Sequence, residues 1–457
     1  MTVERQTLGV ALAVATAVVA MAGAGCGTRG RGEEFALPVA PVVLAGNRMG
    51  IRWQTSALLA PGSHLTDVWV TDAFVVCHGS DHRVYVIDAK TGVRLWSKDL
   101  AGPRETVWPP AAHRGDLWFA TTTRLMGFHG PDGRNIVAQA ARAEREVQRV
   151  ADQAAREAWE AQVIARRMEQ PSGPPEVKIA RGRAEARIAQ VQAVRAARAA
   201  LAVDREGIEL PFAPAGRPAT NGIHVFIPDG KGWLQAVAVV PGVVSWGRWT
   251  DDAVTSGPVA DDALVYFAGR DGVVYASNQN VRRVLWKYQT EGPIAADLKR
   301  TEAGLVLAAS LDYSLYAFQG TSGRLDWRYN AGERIRRAPY AFGTQVFVFT
   351  QQAGLTSLDE NGKVLWQLAE GDHIVTADAE AVYVVSQGGD LLAVGRKDGK
   401  VRWGAPLRHA SLIGTNETNS GVLYLATPEG QVLAVARKQE VRQEAAEEAA
   451  EAETPAP

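Results

Sequence analysis

The chain has 457 residues, of which 46% are hydrophobic and 22% are charged, and its formal net charge is −1. This composition is typical of a globular protein and unlike that of a disordered chain or a polytopic membrane protein. A net charge near zero provides no global field for binding nucleic acid. Two cysteines, Cys26 and Cys77, are too few for a disulfide framework.

The N-terminal residues have the pattern of an export signal. An apolar run at 8–22 is too short to span a bilayer comfortably, and small residues follow it. The sequence GAGC at 23–26 resembles a bacterial lipoprotein signal, although the usual leucine three residues before the cysteine is absent. We therefore expect a signal peptide at 1–25, acylation of Cys26 and a lipidated linker at 26–46. A plain secretory signal is the alternative.

A short motif recurs along the rest of the chain. The stretch VYVIDAKTGVRLW at 84–96 combines alternating apolar residues, a turn with Asp and Gly, and a closing tryptophan. Related stretches close at Trp53, Trp96, Trp246, Trp286, Trp327, Trp366 and Trp403. The spacings after the third of these are 40, 41, 39 and 37 residues. A period near 40 with short alternating strands is typical of β-propeller blades, and we expect these large flat side chains to pack between neighbouring blades.

The number of closing positions predicts eight blades. The inner strands at 421–438 have no tryptophan after them, so the segment around Trp53 is expected to complete the last blade and close the ring. A further blade at 115–137 has Val137 at its closing position. The predicted fold is all-β: an eight-bladed propeller of four-stranded antiparallel blades, formed by 47–137 and 206–438.

Residues 138–205 interrupt the repeats with a composition typical of helices. The sequence PSGPP in the middle breaks the helical pattern, so we expect an inserted α-helical hairpin, a short coiled coil. Its second arm, 176–205, has a net charge of +4 from seven basic and three acidic residues. The candidates for a basic stripe that binds an acidic partner or phosphate headgroups are Arg181, Arg183, Arg187, Arg195 and Arg198. The alternative is a solvated helix face.

The last segment, 439–457, is acidic and low in hydrophobicity. We expect it to form a disordered tail, with a frayed helix before the disorder.

The stretch CHGSDH at 77–82 places Cys77, His78 and His82 around a hairpin turn, where a soft-metal site is conceivable. Alternation places Cys77 and His78 on opposite faces of a strand, and no set of four ligands is visible. We therefore expect a buried cysteine, histidines on the surface and no metal site.

The core Asp-x-x-Thr-Gly-x-x-Leu-Trp at 88–96 resembles the PQQ-like, or quinoprotein, propeller repeat, and the resemblance covers most of the chain outside the insert and tail. Quinoprotein dehydrogenases of this kind carry an adjacent cysteine pair, a calcium site and an Asp base. This chain lacks the cysteine pair, and Asp88 and Asp359 fit turn caps better than metal ligands.

The other proteins with this repeat are non-catalytic lipoproteins of the BamB type, from the outer-membrane β-barrel assembly machinery. The resemblance of this chain to these lipoproteins implies a scaffold that binds no cofactor. Such a scaffold would be a monomer within a complex and would dock on protein partners, such as the β-barrel insertase. Gly27 after the cysteine, instead of an aspartate, favours the periplasmic face of the outer membrane. The alternatives are a substrate-binding or sensory propeller and a quinone-dependent oxidoreductase.

Overall fold

The computed structural model describes residues 46–139, 207–240, 242–279, 283–407, 412–418 and 420–442, together with Val39, Leu44, Arg149 and Asp152. Within this part of the chain, 32 strands form eight antiparallel sheets of four strands each. The prediction of an all-β, eight-bladed propeller is confirmed.

Each sheet is one blade, numbered here along the chain. From the innermost to the outermost strand, blade 1 consists of β2 (Leu65–Val70), β3 (Phe74–Gly79), β4 (Arg83–Asp88) and β5 (Arg94–Asp99), and blade 2 of β6 (Ala111–His113), β7 (Asp116–Ala120), β8 (Arg124–His129) and β9 (Ile208–Glu209). Blade 3 consists of β10 (Ala219–Thr220), β11 (His224–Pro228), β12 (Trp233–Ala238) and β13 (Val243–Trp249), and blade 4 of β14 (Val259–Ala260), β15 (Leu264–Ala268), β16 (Val273–Asn278) and β17 (Arg283–Gln289).

The second half of the ring has the same plan. Blade 5 consists of β18 (Lys299–Arg300), β19 (Leu305–Ala309), β20 (Ser314–Gln319) and β21 (Leu325–Asn330), and blade 6 of β22 (Tyr340–Phe342), β23 (Gln345–Thr350), β24 (Gly354–Leu358) and β25 (Val364–Leu368). Blade 7 consists of β26 (Gly371–Ala377), β27 (Ala381–Ser386), β28 (Asp390–Gly395) and β29 (Val401–Pro406), and blade 8 of β30 (Leu412–Gly414), β31 (Leu423–Ala426), β32 (Gln431–Arg437) and β1 (Met49–Ser56).

Burial differs between the middle and outermost strands for a physical reason. The middle strands have neighbouring blades on both faces, so all six residues of β3 (FVVCHG) and all five of β15 (LVYFA) are buried. The outermost strand β17 (RVLWKYQ) alternates between exposed and half-buried residues because the blades separate with distance from the ring axis. This explains why the middle strands have apolar sequences and the outermost strands have alternating ones.

The hydrophobic core is distributed around the ring. The described residues form eight buried clusters, and each one joins two neighbouring blades. In the cluster between blades 8 and 1, Tyr424 and Ala434 pack with Val75 and Tyr85. Since every interface contains such a cluster, the ring is held together by blade-to-blade packing rather than by one central core.

The ring closes by antiparallel pairing of β1 with β32. The register runs from Met49 opposite Arg437 to Ser56 opposite Gln431. Ahead of β1, Val39 and Leu44 are 2% and 3% exposed and belong to the cluster between blades 7 and 8. The segment just before the propeller is therefore partly attached to it.

Blade 2 differs from the prediction. Val137 was expected in the outermost strand before the insert, but residues 136–139 are helical and the outermost strand is β9, which pairs with Arg124 and Leu125. Asn135 makes an isolated bridge to Phe128, so the insert leaves the propeller within the outermost strand. The rest of the predicted helical hairpin lies outside the described residues, apart from Arg149 and Asp152, which are helical.

The C-terminal end of the described chain is a short helical segment. Residues 438–442 are helical and follow β32 directly, at the start of the segment expected to be a frayed helix and then a disordered tail. Half-buried Val441 packs against the cluster between blades 8 and 1, which gives this turn of helix an apolar contact. Residues 443–457 lie outside the described part.

Candidate functional site

The seven closing tryptophans lie in outermost strands, each on the side that faces the next blade. A β-bulge precedes each of them, for example between Leu325 and Trp327 in β21. Opposite the indole, the third strand has a small residue: Ala236, Ala276, Ala317, Ala393 and Ala434 in five blades and Ser357 in a sixth. A bulge redirects a side chain locally, and the small partner leaves room for the ring.

We call the site where the closing residue of one blade packs against the next blade a tryptophan socket. Five of the seven tryptophans make the same hydrogen bond in this site. The indole Nε1 of Trp327 donates a hydrogen bond to the carbonyl oxygen of Glu360, in the turn between the third and fourth strands of the next blade, at 2.8 Å. The equivalent bonds run from Trp53 to Ala89, Trp96 to Gly130, Trp286 to Gly320 and Trp366 to Arg396, at 2.6–3.0 Å. The socket therefore joins each pair of blades by a polar bond as well as by packing.

A glycine with positive φ completes the socket. Gly362, with φ of 76°, lies so close to the ring of Trp327 that a Cβ atom would be 2.6 Å from Cε3. Gly92, Gly133, Gly323 and Gly399 lie equally close to the tryptophan before them. The Asp and Gly of the repeated turn thus have separate roles: Asp359 Oδ1 accepts backbone N–H bonds within the turn, and the glycine lets the turn lie against the indole.

The socket between blades 2 and 3 has no tryptophan. The turn glycine of blade 3, Gly242, faces Ile208 and Val137, at 3.4 and 3.9 Å from the place where its Cβ would be. Both side chains are buried in the cluster that joins the two blades. Val137 and Ile208 come from the two ends of the insert, so the insert replaces one tryptophan by two aliphatic residues that hold its base against the ring.

Two tryptophans lie in exceptional sockets. Trp246 is buried with no hydrogen-bond partner for its Nε1 within the described residues, and the turn opposite it includes residues 280–282, which are not described. Trp403 is half-buried against Tyr383, with ring centroids 6.2 Å apart. Blade 8 has no turn to cover Trp403, because its fourth strand comes from the other end of the chain.

The inner strands surround a central channel with a cavity of about 250 Å³. Small residues line much of it, and the charged residues are Arg217, Asp297, Lys299, Arg300 and Glu417. Lys299 of blade 5 pairs with Glu417 of blade 8. Because these blades are three positions apart, the pair crosses the channel.

Electrostatics favour this channel pair. Burial disfavours the charged form of Glu417, but Lys299 and Arg217 outweigh it and hold the pKa of this carboxyl below its usual range. Asp297 Oδ1 accepts a backbone hydrogen bond from Gly257. Both channel carboxylates are thus engaged with donors of the protein. Among the residues described, no group of three or more histidines, cysteines or carboxylates is placed to hold a metal ion.

The CHGSDH stretch lies in blade 1 and only partly as expected. Cys77 is buried, and burial raises the pKa of its thiol to about 12. His78 is 7% exposed rather than on the surface, which contradicts the prediction. Its ring stacks on Trp69 and its Nδ1 lies 3.0 Å from Thr66 Oγ1, and the hydrogen bond it forms with Asp67 lowers the pKa of that carboxyl. These contacts account for the Nδ1 side of the ring, whereas the buried Nε2 has no hydrogen-bond partner among the described residues.

Several predicted residues lie outside the described part of the chain. These are the signal peptide, Cys26, and the five arginines Arg181, Arg183, Arg187, Arg195 and Arg198. In the described part, no helix is long and apolar enough to span a membrane.

A family model described as outer membrane protein assembly factor BamB matches residues 46–206 and 296–456. The chain belongs to the BamB family. Among curated proteins, the outer membrane protein assembly factor BamB of Yersinia pestis is 24% identical over 237 residues, which are 47% of this chain and 59% of that protein. The 1-butanol dehydrogenase (quinone) of Thauera butanivorans is 30% identical over 162 residues, 31% of this chain and 25% of the enzyme. The matches therefore span less than two thirds of either relative.

Solved structures support the BamB-type fold. BamB from Moraxella catarrhalis has a TM-score of 0.54 at 14% identity, with 84% of this chain and 98% of that chain covered. The computationally designed Ika8 protein has a TM-score of 0.55 at 12% identity, with 81% and 96% covered. At these identities the likeness concerns the fold alone.

Proposed function

We propose that this BamB-family protein is a non-catalytic scaffold on the periplasmic face of the outer membrane, anchored by a lipid on Cys26, that takes part in β-barrel protein assembly. The observation that carries the proposal is the match of the BamB family model to both parts of the propeller. The fold suits a scaffold: the sockets make a stiff ring, and its loops and outermost strands are available to partners.

The proposed partners are proteins, and the β-barrel insertase is the first candidate. A propeller docks well because its rigid ring loses little conformational freedom on binding. The insert gives a second element for contact, since Val137 and Ile208 fix its base at one interface. We propose the arginines at 181–198 as the partner-binding part of this insert.

Affinity purification tests the partner. The tagged full-length chain is purified from gently solubilised membranes beside a variant in which a short Gly/Ser linker replaces residues 140–206, which keeps Val137 and Ile208. We expect an outer-membrane insertase to copurify with both chains. A different partner, recovered only when the insert is present, would overturn the barrel-assembly role.

Fractionation tests the anchor. The Cys26→Ser chain should move from the membrane fraction to the soluble periplasmic fraction, while the Cys77→Ser chain should remain with the membrane. Recovery of the Cys26→Ser chain wholly in membranes would contradict lipid anchoring at this residue.

A second candidate function rests on the quinone dehydrogenase relative and on the charged central channel. A small anionic molecule could bind there beside Arg217 and Arg300, which would make the protein a substrate-binding or sensory propeller, or an oxidoreductase if the molecule is a quinone. The lack of an adjacent cysteine pair and the crossing pair of Lys299 with Glu417 both disfavour a bound quinone. A stable absorbing complex after addition of quinone and calcium would favour this candidate over the scaffold.

A further inference from the structure

The ring closure leaves one tryptophan socket without its cover. In blades 1, 2, 5, 6 and 7, a turn between the third and fourth strands covers the tryptophan of the blade before. In blade 8 the third strand ends at Arg437 and the fourth begins at Met49, which is its partner in the ladder. The chain passes from Arg437 into the helical residues 438–442 instead of turning back. Within the described part of the chain, no turn is therefore available to accept a hydrogen bond from Trp403.

A cleft of about 990 Å³ takes the place of this turn, and we call it the seam cleft. Its buried lining residues include Met49, Ala381, Tyr383 and Ala393, and half-buried Trp403 lies beside them. The Nε1 of Trp403 has no hydrogen bond within the described residues. The cleft thus has an apolar base with one available N–H donor.

Cations dominate the described rim of the seam cleft. The lining contains six of them, Arg48, Lys397, Arg402, Arg437, Lys438 and Arg442, and one carboxylate, Glu380. Arg402 is paired with Asp398, and Arg437 is paired with Asp378 and Glu380, at 2.5–2.9 Å. The other four cations have no ion-pair partner among the residues that the structure describes.

These four cations are a local excess, because the whole chain has a net charge of only −1. They are exposed and come from three separate elements: Arg48 before β1, Lys397 in the turn after β28, and Lys438 and Arg442 in the C-terminal helical turn. Like charges placed around one concave surface repel each other, and an anionic ligand would relieve that repulsion.

We propose that the seam cleft binds an acidic peptide segment of a partner protein. The segment's carboxylates pair with the four free cations, and one of its backbone carbonyls accepts the Trp403 Nε1–H, as a turn residue does in the five complete sockets. An apolar side chain of the segment packs on Met49 and the indole. The spread of the cations over three elements and the apolar base fit an extended chain better than one compact phosphate. The inference deepens the proposed scaffold function and rests on it, because it assigns a partner-binding surface.

Fluorescence anisotropy tests the seam cleft directly. The purified full chain, made soluble by Cys26→Ser, is titrated into a fluorescein-labelled peptide of sequence EELDPEGLEE and into its neutral counterpart QQLNPQGLQQ. We expect binding of the acidic peptide alone, weakened by salt. The Lys397→Glu/Arg442→Glu chain should bind about tenfold more weakly, a loss of about 1.4 kcal/mol that is shared between two exposed cation contacts.

A matched control separates the cleft from overall charge. Lys90 and Arg104 are exposed cations outside the cleft, so Lys90→Glu/Arg104→Glu makes the same change in net charge and should leave the affinity unaltered. Trp403→Phe keeps an aromatic ring but removes the donor, and should weaken binding about fivefold. Circular dichroism and thermal melting check that each variant is folded.

Four results would overturn the inference. The first three are equal loss of affinity in the cleft and control variants, equal binding of the acidic and neutral peptides, and binding of phosphatidylglycerol vesicles in place of the peptide. Binding that appears only after residues 443–457 are removed would assign the cleft to the chain's own acidic tail and would also overturn it. Because this assay uses the purified chain, its failure leaves the copurification result for the scaffold function intact, and the reverse also holds.

Discussion

The tryptophan socket makes a prediction that one pair of glycines can test. Gly362 and Gly332 both have φ of 76°, a conformation that alanine adopts at a cost of about 1–2 kcal/mol. A Cβ at Gly362 would lie 2.6 Å from the Trp327 ring, whereas nothing lies within 4 Å of a Cβ at Gly332. Substitution by alanine thus adds the same backbone strain at both sites and a steric clash at only one.

We expect Gly332→Ala to cost only the strain. Gly362→Ala should cost about 1–3 kcal/mol more, because the turn must move away from a ring packed in a full interface, and the bond from Trp327 to Glu360 would lengthen. The free energy of unfolding is measured from urea denaturation, followed by circular dichroism and by tryptophan fluorescence to test for two-state behaviour.

A double-mutant cycle locates the extra cost. In a Trp327→Leu chain the ring is gone, so Gly362→Ala should then cost no more than Gly332→Ala. Equal destabilisation by the two glycine substitutions in the wild-type chain would refute the close-packed socket, and an extra cost that persists without the indole would move its origin elsewhere.

Three further predictions concern other parts of the ring. In a Cys26→Ser chain, Cys77 should not react with DTNB at pH 8 until urea unfolds the protein, because burial raises the pKa of its thiol to about 12; reaction in the native state would contradict this burial. Glu417→Gln should destabilise the protein at pH 7. The pKa of Glu417 is lowered in the folded protein, so the urea midpoints of the variant and the wild type should converge as the pH falls below 4.5, the ordinary pKa of a glutamate. A difference in midpoint that stays constant with pH would exclude the charge pair as its cause. Replacing 140–206 by a Gly/Ser linker should leave the Tm nearly unchanged, whereas Ile208→Ala should cost about 2 kcal/mol or more by opening a cavity; the opposite order would show that the insert stabilises the ring.

The sequence predicted the ring well because one residue type marks seven of the eight repeats. A tryptophan closes the outermost strand of seven of the eight blades, so its spacing of about 40 residues marked most of the ring, and the strand pattern at 115–137 marked the remaining blade. The pairing of β1 with β32 could also be foreseen, since the last repeat had no closing tryptophan and Trp53 stood before the first complete repeat without inner strands of its own. These predictions depend on periodicity, which survives local irregularities.

The insert and the buried histidine could not be predicted in the same way. The outermost strand of blade 2 is split by about 70 residues, and the two-residue strand β9 is too short to have a pattern. Val137 was assigned to a strand by its spacing, although the helix of the insert already includes it. His78 is buried because Thr66, Asp67 and Trp69 surround it. All three residues lie in the neighbouring strand β2, so the CHGSDH stretch itself gives no sign of them.

The bulge before each tryptophan was missed, although a signal for it exists. The third strand has alanine opposite the indole in blades 3, 4, 5, 7 and 8, and the residue just before the tryptophan has no partner in the ladder. A small residue at a fixed position of the third strand, about ten residues before each tryptophan in blades 3 to 7, is visible in the sequence. Its purpose, which is to leave room for the indole, can be recognised only when the bulge that turns the indole toward the next blade is known.

The way the ring closes determines which interface lacks a covering turn. Eight interfaces need eight covering turns, but a ring closed by an N-terminal strand has only seven, so the interface between blades 7 and 8 must lack one. The insert alters a different interface, between blades 2 and 3, where Val137 and Ile208 take the place of a tryptophan. Five other sockets keep the tryptophan and its hydrogen bond to the next blade. The seam cleft and the base of the insert, the two surfaces proposed above for partners, therefore lie at departures from the repeat and three interfaces apart.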